Sequence, residues 1–127
     1  FKKLQLSKIK IKSSRLDVFK FSPQIIKIDA EGCELEAVMS SKKTIRKSLP
    51  LLIIEFHHKN FNKIKNELSK IGYFDYLYDS KKNTFLKINK KIIRKIIKKN
   101  TSTNIVFYNH KSNLIRKIKF TEKNNIN

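Results

Sequence analysis

The sequence predicts an α/β fold, because twice in succession a short run of β-branched and aliphatic residues precedes a segment with helical spacing. Residues 24–30, centred on Ile25-Ile26-Lys27-Ile28, lead into residues 31–47, where Leu35, Val38, Met39 and Ile45 recur near helical intervals. Residues 51–56, introduced by Pro50, lead into residues 61–71, where Phe61, Ile64, Leu68 and Ile71 form one stripe. Consecutive βα units with apolar strands predict a parallel sheet covered on both faces. With 127 residues, 39% hydrophobic content, nine Phe and four Tyr, the chain has material for the core of one domain.

The elements follow in order. Leu4, Leu6, Ile9 and Ile11 alternate with polar residues, which predicts a partly exposed strand over 4–11. Residues 13–21 form a connection, with Leu16, Val18, Phe19 and Phe21 available to pin a short helix or turn, and Pro23 ends it. After the two βα units, Gly72 stands where a helix C-cap is expected. Residues 73–78 are aromatic and alternating, 79–83 are a polar turn, and 84–88 read as a further strand. Residues 90–99 predict a helix with Ile92, Ile93, Ile96 and Ile97 facing inward, and 103–108 predict a last strand. One domain is expected over 1–109, followed by a basic, poorly ordered tail over 110–127. No repeat of solenoid period is present.

A net charge of +20 ordinarily points to nucleic acid or an anionic membrane as partner. Its distribution points elsewhere. Residues 1–20 carry seven Lys/Arg against one acid and 81–127 carry fourteen against one, whereas the central 21–80 carry nine against eight. Lys, Ile and Asn make up nearly half the chain, the bias that AT-rich coding produces wherever a solvated polar residue suffices. Arg is scarce, and no interleaved aromatics mark a base-stacking surface, so no dedicated nucleic-acid site is expected. The longest apolar stretch, 49–54, is far below the ~20 residues that span a bilayer. The single Cys33 gives neither a disulfide framework nor zinc spacing and fits a reducing compartment, so a soluble, cytoplasmic protein is expected.

Chemistry concentrates at the ends of the two apolar strands. In an open α/β sheet ligands bind beyond the carboxyl ends of the strands, where Asp29 and Glu31 stand after the first and Glu55 and His57 after the second. Adjacent strands would bring these four together, and an imidazole beside two carboxylates suits a general base near neutral pH. His58 should point the opposite way. Lys27 alternates with Asp29 on its strand and can share its crevice layer. Gly32 permits the sharp turn from strand to helix, and Glu34 and Glu36 in the first helical turn read as capping residues. Asp29, Glu55 and His57 are a ligand set too common to assign a metal.

The block Pro23-Gln-Ile-Ile-Lys-Ile-Asp-Ala-Glu-Gly-Cys-Glu-Leu-Glu-Ala-Val38, the following Lys-Lys-Thr-Ile, and Leu49-Pro-Leu-Leu-Ile-Ile-Glu-Phe-His57 resemble the hallmark segment of FkbM-type methyltransferases. There a strand ending in Ile-Lys-Ile-Asp-Val-Glu-Gly is followed by a helix and a Pro-led strand ending in Glu. Ser14-Arg15-Leu16-Asp17 is similar to the Leu-Asp element before that block, and Gly72-Tyr73 to the Gly-Tyr after the next helix. Ala30 replaces the usual Val. The resemblance, over roughly residues 10–78, implies a Rossmann-like class I methyltransferase fold, S-adenosylmethionine as methyl donor, and a hydroxyl acceptor on a small molecule, sugar or glycan. It places Asp29, Glu31 and His57 as catalytic residues, with Asp29 or His57 as the base, and Lys27 and Glu55 on the acceptor side. Such enzymes hold the donor with a glycine-rich loop after the first strand, but this chain has only Gly32 and Gly72, forty residues apart. It opens with Phe-Lys-Lys and is therefore expected to be the second half of the sheet, with the donor-binding half preceding Phe1 and no methyl transfer by the isolated chain. Two alternatives remain open: a non-catalytic basic module that binds anionic membrane or nucleic acid, or a degenerate methyltransferase kept as a partner domain.

Overall fold

A computed structural model describes residues 8–99 and 102–114. These residues form a five-stranded mixed sheet with four α-helices: β1 (Ile25–Ile28), α1 (Glu34–Ser40), α2 (Lys42–Ser48), β2 (Leu51–Glu55), α3 (Phe61–Ser69), β3 (Tyr73–Asp79), β4 (Thr84–Lys87), α4 (Lys90–Lys99) and β5 (Asn104–Asn109). The strand order is β1-β2-β5-β3-β4. Among the described strands only β1 and β2 pair in parallel, with Ile25 opposite Leu51 and Ile28 opposite Ile54. The other three pairings are antiparallel, so the sheet is mixed and not the parallel one the two βα units predict. The reason lies in the last strand. β5 carries the apolar run Ile105-Val106-Phe107-Tyr108, and the position that buries it on both faces is between β2 and β3.

Among the described residues helices cover one face only, where two were expected. Val38, Ile45, Ile64, Leu68 and Ile96 from the helices join Ile28, Leu52, Ile54, Ile105 and Phe107 of the sheet in one core. The opposite face holds a smaller cluster of Leu51, Tyr76, Val106 and Tyr108, backed by Phe85 and Leu114. No α-helix among the described residues contributes to it. Burying each of these apolar side chains contributes on the order of 1.5–3 kcal/mol against leaving it exposed.

Three elements depart from the sequence pattern. Residues 8–11 form no strand, and Ile9 and Ile11 stand exposed; Leu4 and Leu6 lie outside the described residues. Residues 31–47 divide into two helices at Ser41, because the Ser41 hydroxyl donates to the Ala37 carbonyl at 2.7 Å and that of Ser40 to the same oxygen at 3.0 Å, competing with the helical ladder. In α4, Ile96 is buried and Ile92 and Ile93 half-buried, but Ile97 points outward.

The connections have identifiable supports. A single 3-10 turn at Leu16–Val18 presents Asp17, whose carboxylate accepts from the backbone N–H groups of Lys43 (3.1 Å) and Thr44 (2.9 Å) and from the Thr44 hydroxyl (2.9 Å). Asp17 therefore caps α2 across 26 residues of sequence. Partial burial pushes its carboxyl up, but the Thr44 and Lys43 amides and the Thr44 hydroxyl together hold it below its ordinary value. Gly72, at φ +85, turns the chain from α3 into β3, and a side chain there would meet the Asn109 amide at 3.1 Å. That amide donates to the Ile71 carbonyl at 2.7 Å. The buried Tyr73 hydroxyl donates to the Pro50 carbonyl at 2.8 Å, and burial raises its pKa. Asn109 also pins the turn after β5 by accepting from the Lys111 N–H at 2.9 Å; residues 115–127 of the expected tail lie outside the described residues.

Candidate active site

The register of β1 and β2 determines which side chains meet. Lys27 lies opposite Ile53 and Ile28 opposite Ile54, so continuing the ladder by one residue sets Asp29 opposite Glu55. The helix-facing positions of β1 are Ile26 and Ile28, which leaves Lys27 and Asp29 on the other side of the pleat. At this edge Asp29, Glu31 and Glu55 each bring a carboxylate oxygen within 4.8 Å of the others. The Lys27 ammonium bonds to Asp29 Oδ2 at 2.5 Å. That ion pair first, and a hydrogen bond with Glu55 second, hold the Asp29 carboxyl below the usual carboxylate range. Asp29 is thus ionised at neutral pH. Glu55 is held from its other side by the Ser102 hydroxyl.

The loop that carries Glu31 adopts an unusual backbone. Glu31 has φ +48 and Gly32 φ +98, two consecutive left-handed residues. Only the second is a glycine, so Glu31 is strained to reach its place beside the other two carboxylates. Three bonds keep the loop there. The Cys33 N–H donates to the Ala30 carbonyl at 3.0 Å, and the Gly32 and Ala30 N–H groups donate to Glu34 Oε1 at 2.9 and 3.3 Å. Glu34 is buried at 1% exposure and serves the loop; its role is structural, as expected, but it braces the turn before α1 and makes no cap bond to the helix. From the far side, the Asn60 amide donates to the Gly32 carbonyl at 2.8 Å and so ties the start of α3 to the β1–α1 loop.

His57 sits elsewhere. β2 ends at Glu55, so strand alternation does not extend to 57 and 58, and the two imidazoles stack with centroids 5.4 Å apart and planes 20° apart. The His57 carbonyl accepts from Asn60 and Phe61 N–H at 3.0 Å each, and starts α3. Its half-buried ring lines a very small cavity with Glu55, Phe56 and Phe61, where Nδ1 is buried without a hydrogen-bond partner. His57 shares Glu55 as a neighbour but is not among the three carboxylates.

The structure therefore gathers Asp29, Glu31, Glu55 and Lys27 at one sheet edge and places His57 beside it. The three carboxylates present hard oxygen ligands of the kind a divalent cation uses, with the Lys27 ammonium competing for Asp29. Sequence reasoning missed Ser102, Asn60 and the capping role of Asp17. Asn60 stands where a helix N-cap belongs, and that signal misleads, since its side chain reaches Gly32 and makes no cap bond.

No helix among the described residues is long and apolar enough to cross a membrane. Neither a search of curated proteins nor one of solved structures returned a match. The family model described as the methyltransferase FkbM domain matches residues 4–89, a span that runs from before the Asp17 cap, through the whole carboxylate edge, to the residue that opens α4. The chain belongs to the FkbM methyltransferase family.

Proposed function

We propose that this chain carries the acceptor side of a methyl-transfer centre in an S-adenosylmethionine-dependent O-methyltransferase with a Rossmann-like sheet. The observation that supports it most is the convergence of Asp29, Glu31 and Glu55 beyond the carboxyl ends of two adjacent parallel strands, in a member of a methyltransferase family. The donor, when bound, supplies an electrophilic methyl group on a sulfonium cation. Three carboxylates collected in a chain of net charge +20 suit a cation by charge, so this edge fits the sulfonium end of the donor. With glycines only at 32 and 72, no residue here is assigned to the adenosyl part.

The chain's own residues then divide the work. Asp29, ionised and exposed, accepts the proton of the acceptor hydroxyl. Lys27 orients Asp29, and Glu31 and Glu55 accept hydrogen bonds from neighbouring hydroxyls of the acceptor, so that most of the acceleration comes from alignment. His57 is the second candidate for the base, beside Glu55. Sugar and glycan hydroxyls are the acceptor class this arrangement suits.

The test uses the natural polypeptide that carries these residues, incubated with methyl-tritiated donor and a panel of sugars and glycans. Label transferred to a base-stable ether, and reduced at least ~10²-fold by Asp29→Asn, is the expected result. Transfer that survives Asp29→Asn and Glu31→Gln unchanged would refute the assignment. The exposed cations of α4 favour a second reading, a basic module. Strongly salt-dependent binding to anionic vesicles or duplex DNA, without transfer, would support that one.

A further inference from the structure

On the helix-covered side of the sheet, α3 and α4 line an open groove of about 820 Å³, within the size range of small-molecule sites. Its floor is apolar, formed by Phe61, Ile88 and Ile93. Its wall is cationic: Lys90 and Arg94, one helical turn apart on α4, face Lys65 of α3. No acidic side chain among the described residues lines it. Lys65 is already engaged by Asp75 at 2.8 Å, whereas Lys90 and Arg94 have no ion pair among the described residues. Asn62 and Asn66 on the wall add amide donors and acceptors of the kind that read hydroxyl groups. The groove shares one wall with the small cavity that Glu55 and His57 line. Phe61 belongs to both, packing on Phe56 with ring centroids 5.2 Å apart between Glu55 and His57.

We infer that this groove binds the anionic group of the acceptor, a phosphate or carboxylate on a hydroxylated, sugar-like molecule, through Arg94 and Lys90. The planar guanidinium of Arg94 offers paired N–H donors to two oxygens of such a group, and Lys90 adds a point charge one turn away. With the anion held there, Asn62 and Asn66 are placed to read the hydroxylated part of the molecule. The anion site itself stands on the groove alone; only its assignment to the acceptor rests on the methyltransferase reading.

The experiment is an amide-resolved NMR titration of the full 127-residue chain with glucose 6-phosphate, glucuronate and glucose, without methyl donor. Saturable shifts confined to residues 61–66 and 88–94 are expected with one or both anionic sugars and not with glucose. Response to one anion alone identifies phosphate or carboxylate as the source. Arg94→Gln or Lys90→Gln, both at exposed positions, should weaken binding at least ~10-fold, while Lys47→Gln, an exposed cation on α2, should leave it unchanged. Shifts spread over the lysine-rich surface without saturation, equal loss in Lys47→Gln, or equal response to glucose would each overturn the site. Failure of the two readings is distinguishable. Groove binding in a polypeptide that transfers no methyl group sinks the enzyme reading alone, and methyl transfer with a KM untouched by Arg94→Gln sinks the groove alone.

Discussion

Glu31 offers a direct measure of the strain held at the carboxylate edge. Its φ of +48 lies in the left-handed region, which costs an L-residue with a Cβ about 1–2 kcal/mol. Glycine removes that cost but loses about 0.5–1 kcal/mol more conformational entropy on folding. Charge must be separated from backbone, because Glu31 also places a third carboxylate within 4.8 Å of two others. Glu31→Gln removes the charge and keeps the backbone strain, whereas Glu31→Gly removes both. The difference between the two variants isolates the backbone, and it should favour glycine by about 0.5–1 kcal/mol. For a domain of this size that is a Tm difference of roughly 2–4 °C, measurable by thermal unfolding of the full chain followed by circular dichroism. Both variants should be at least as stable as the parent and should lose methyl transfer in the natural polypeptide, the pattern of strain retained for function. A Glu31→Gly protein no more stable than Glu31→Gln would refute the strain argument.

Three further outcomes follow from the same structure. Gly32→Ala, next in sequence, should act in the opposite sense and destabilise by about 1–2 kcal/mol in urea unfolding; its φ is +98 and the added methyl meets open space, so the cost is in the backbone alone. Asp17→Ala should cost about 1–2 kcal/mol, since it uncaps α2 and strands the N–H of the buried Thr44. Because the folded-state pKa of Asp17 is depressed, that contribution is present above the ordinary carboxylate value, about 3.9, and is lost as pH falls through the folded value; parent and variant should converge in acid. Lys27→Met should let the Asp29 carboxyl rise toward its ordinary range, shifting its ¹³C titration midpoint, and the acid limb of any methyl-transfer profile, to higher pH. An unmoved midpoint would show that Lys27 does not set the ionisation of Asp29.

Local pattern carried much of this fold. Both βα units, the tight turn at Gly32, the helix over Lys90–Lys99 and the strand of residues 104–109 were legible because periodicity and turn chemistry act within a few residues. The carboxylates at the two strand ends were legible for the same reason, as were the motif residues that carry the family resemblance. Helix 31–47 misled because hydrophobic spacing says nothing about two serine hydroxyls competing for the Ala37 carbonyl.

What the sequence by itself determined is the set of elements, the family and the identity of the acids at the strand ends. What only the tertiary structure decided is which of them meet. The insertion of β5 between β2 and β3 makes the sheet mixed, and brings Ser102 to Glu55, 47 residues away in sequence. Strand order depends on where each apolar strand can be buried on both faces, a property of the whole sheet that no local window contains. His57 shows the same limit. Alternation would set it beside Asp29, but the ladder stops at Glu55 and the first turn of α3 takes the His57 carbonyl, leaving the ring in a small cavity with Glu55, Phe56 and Phe61.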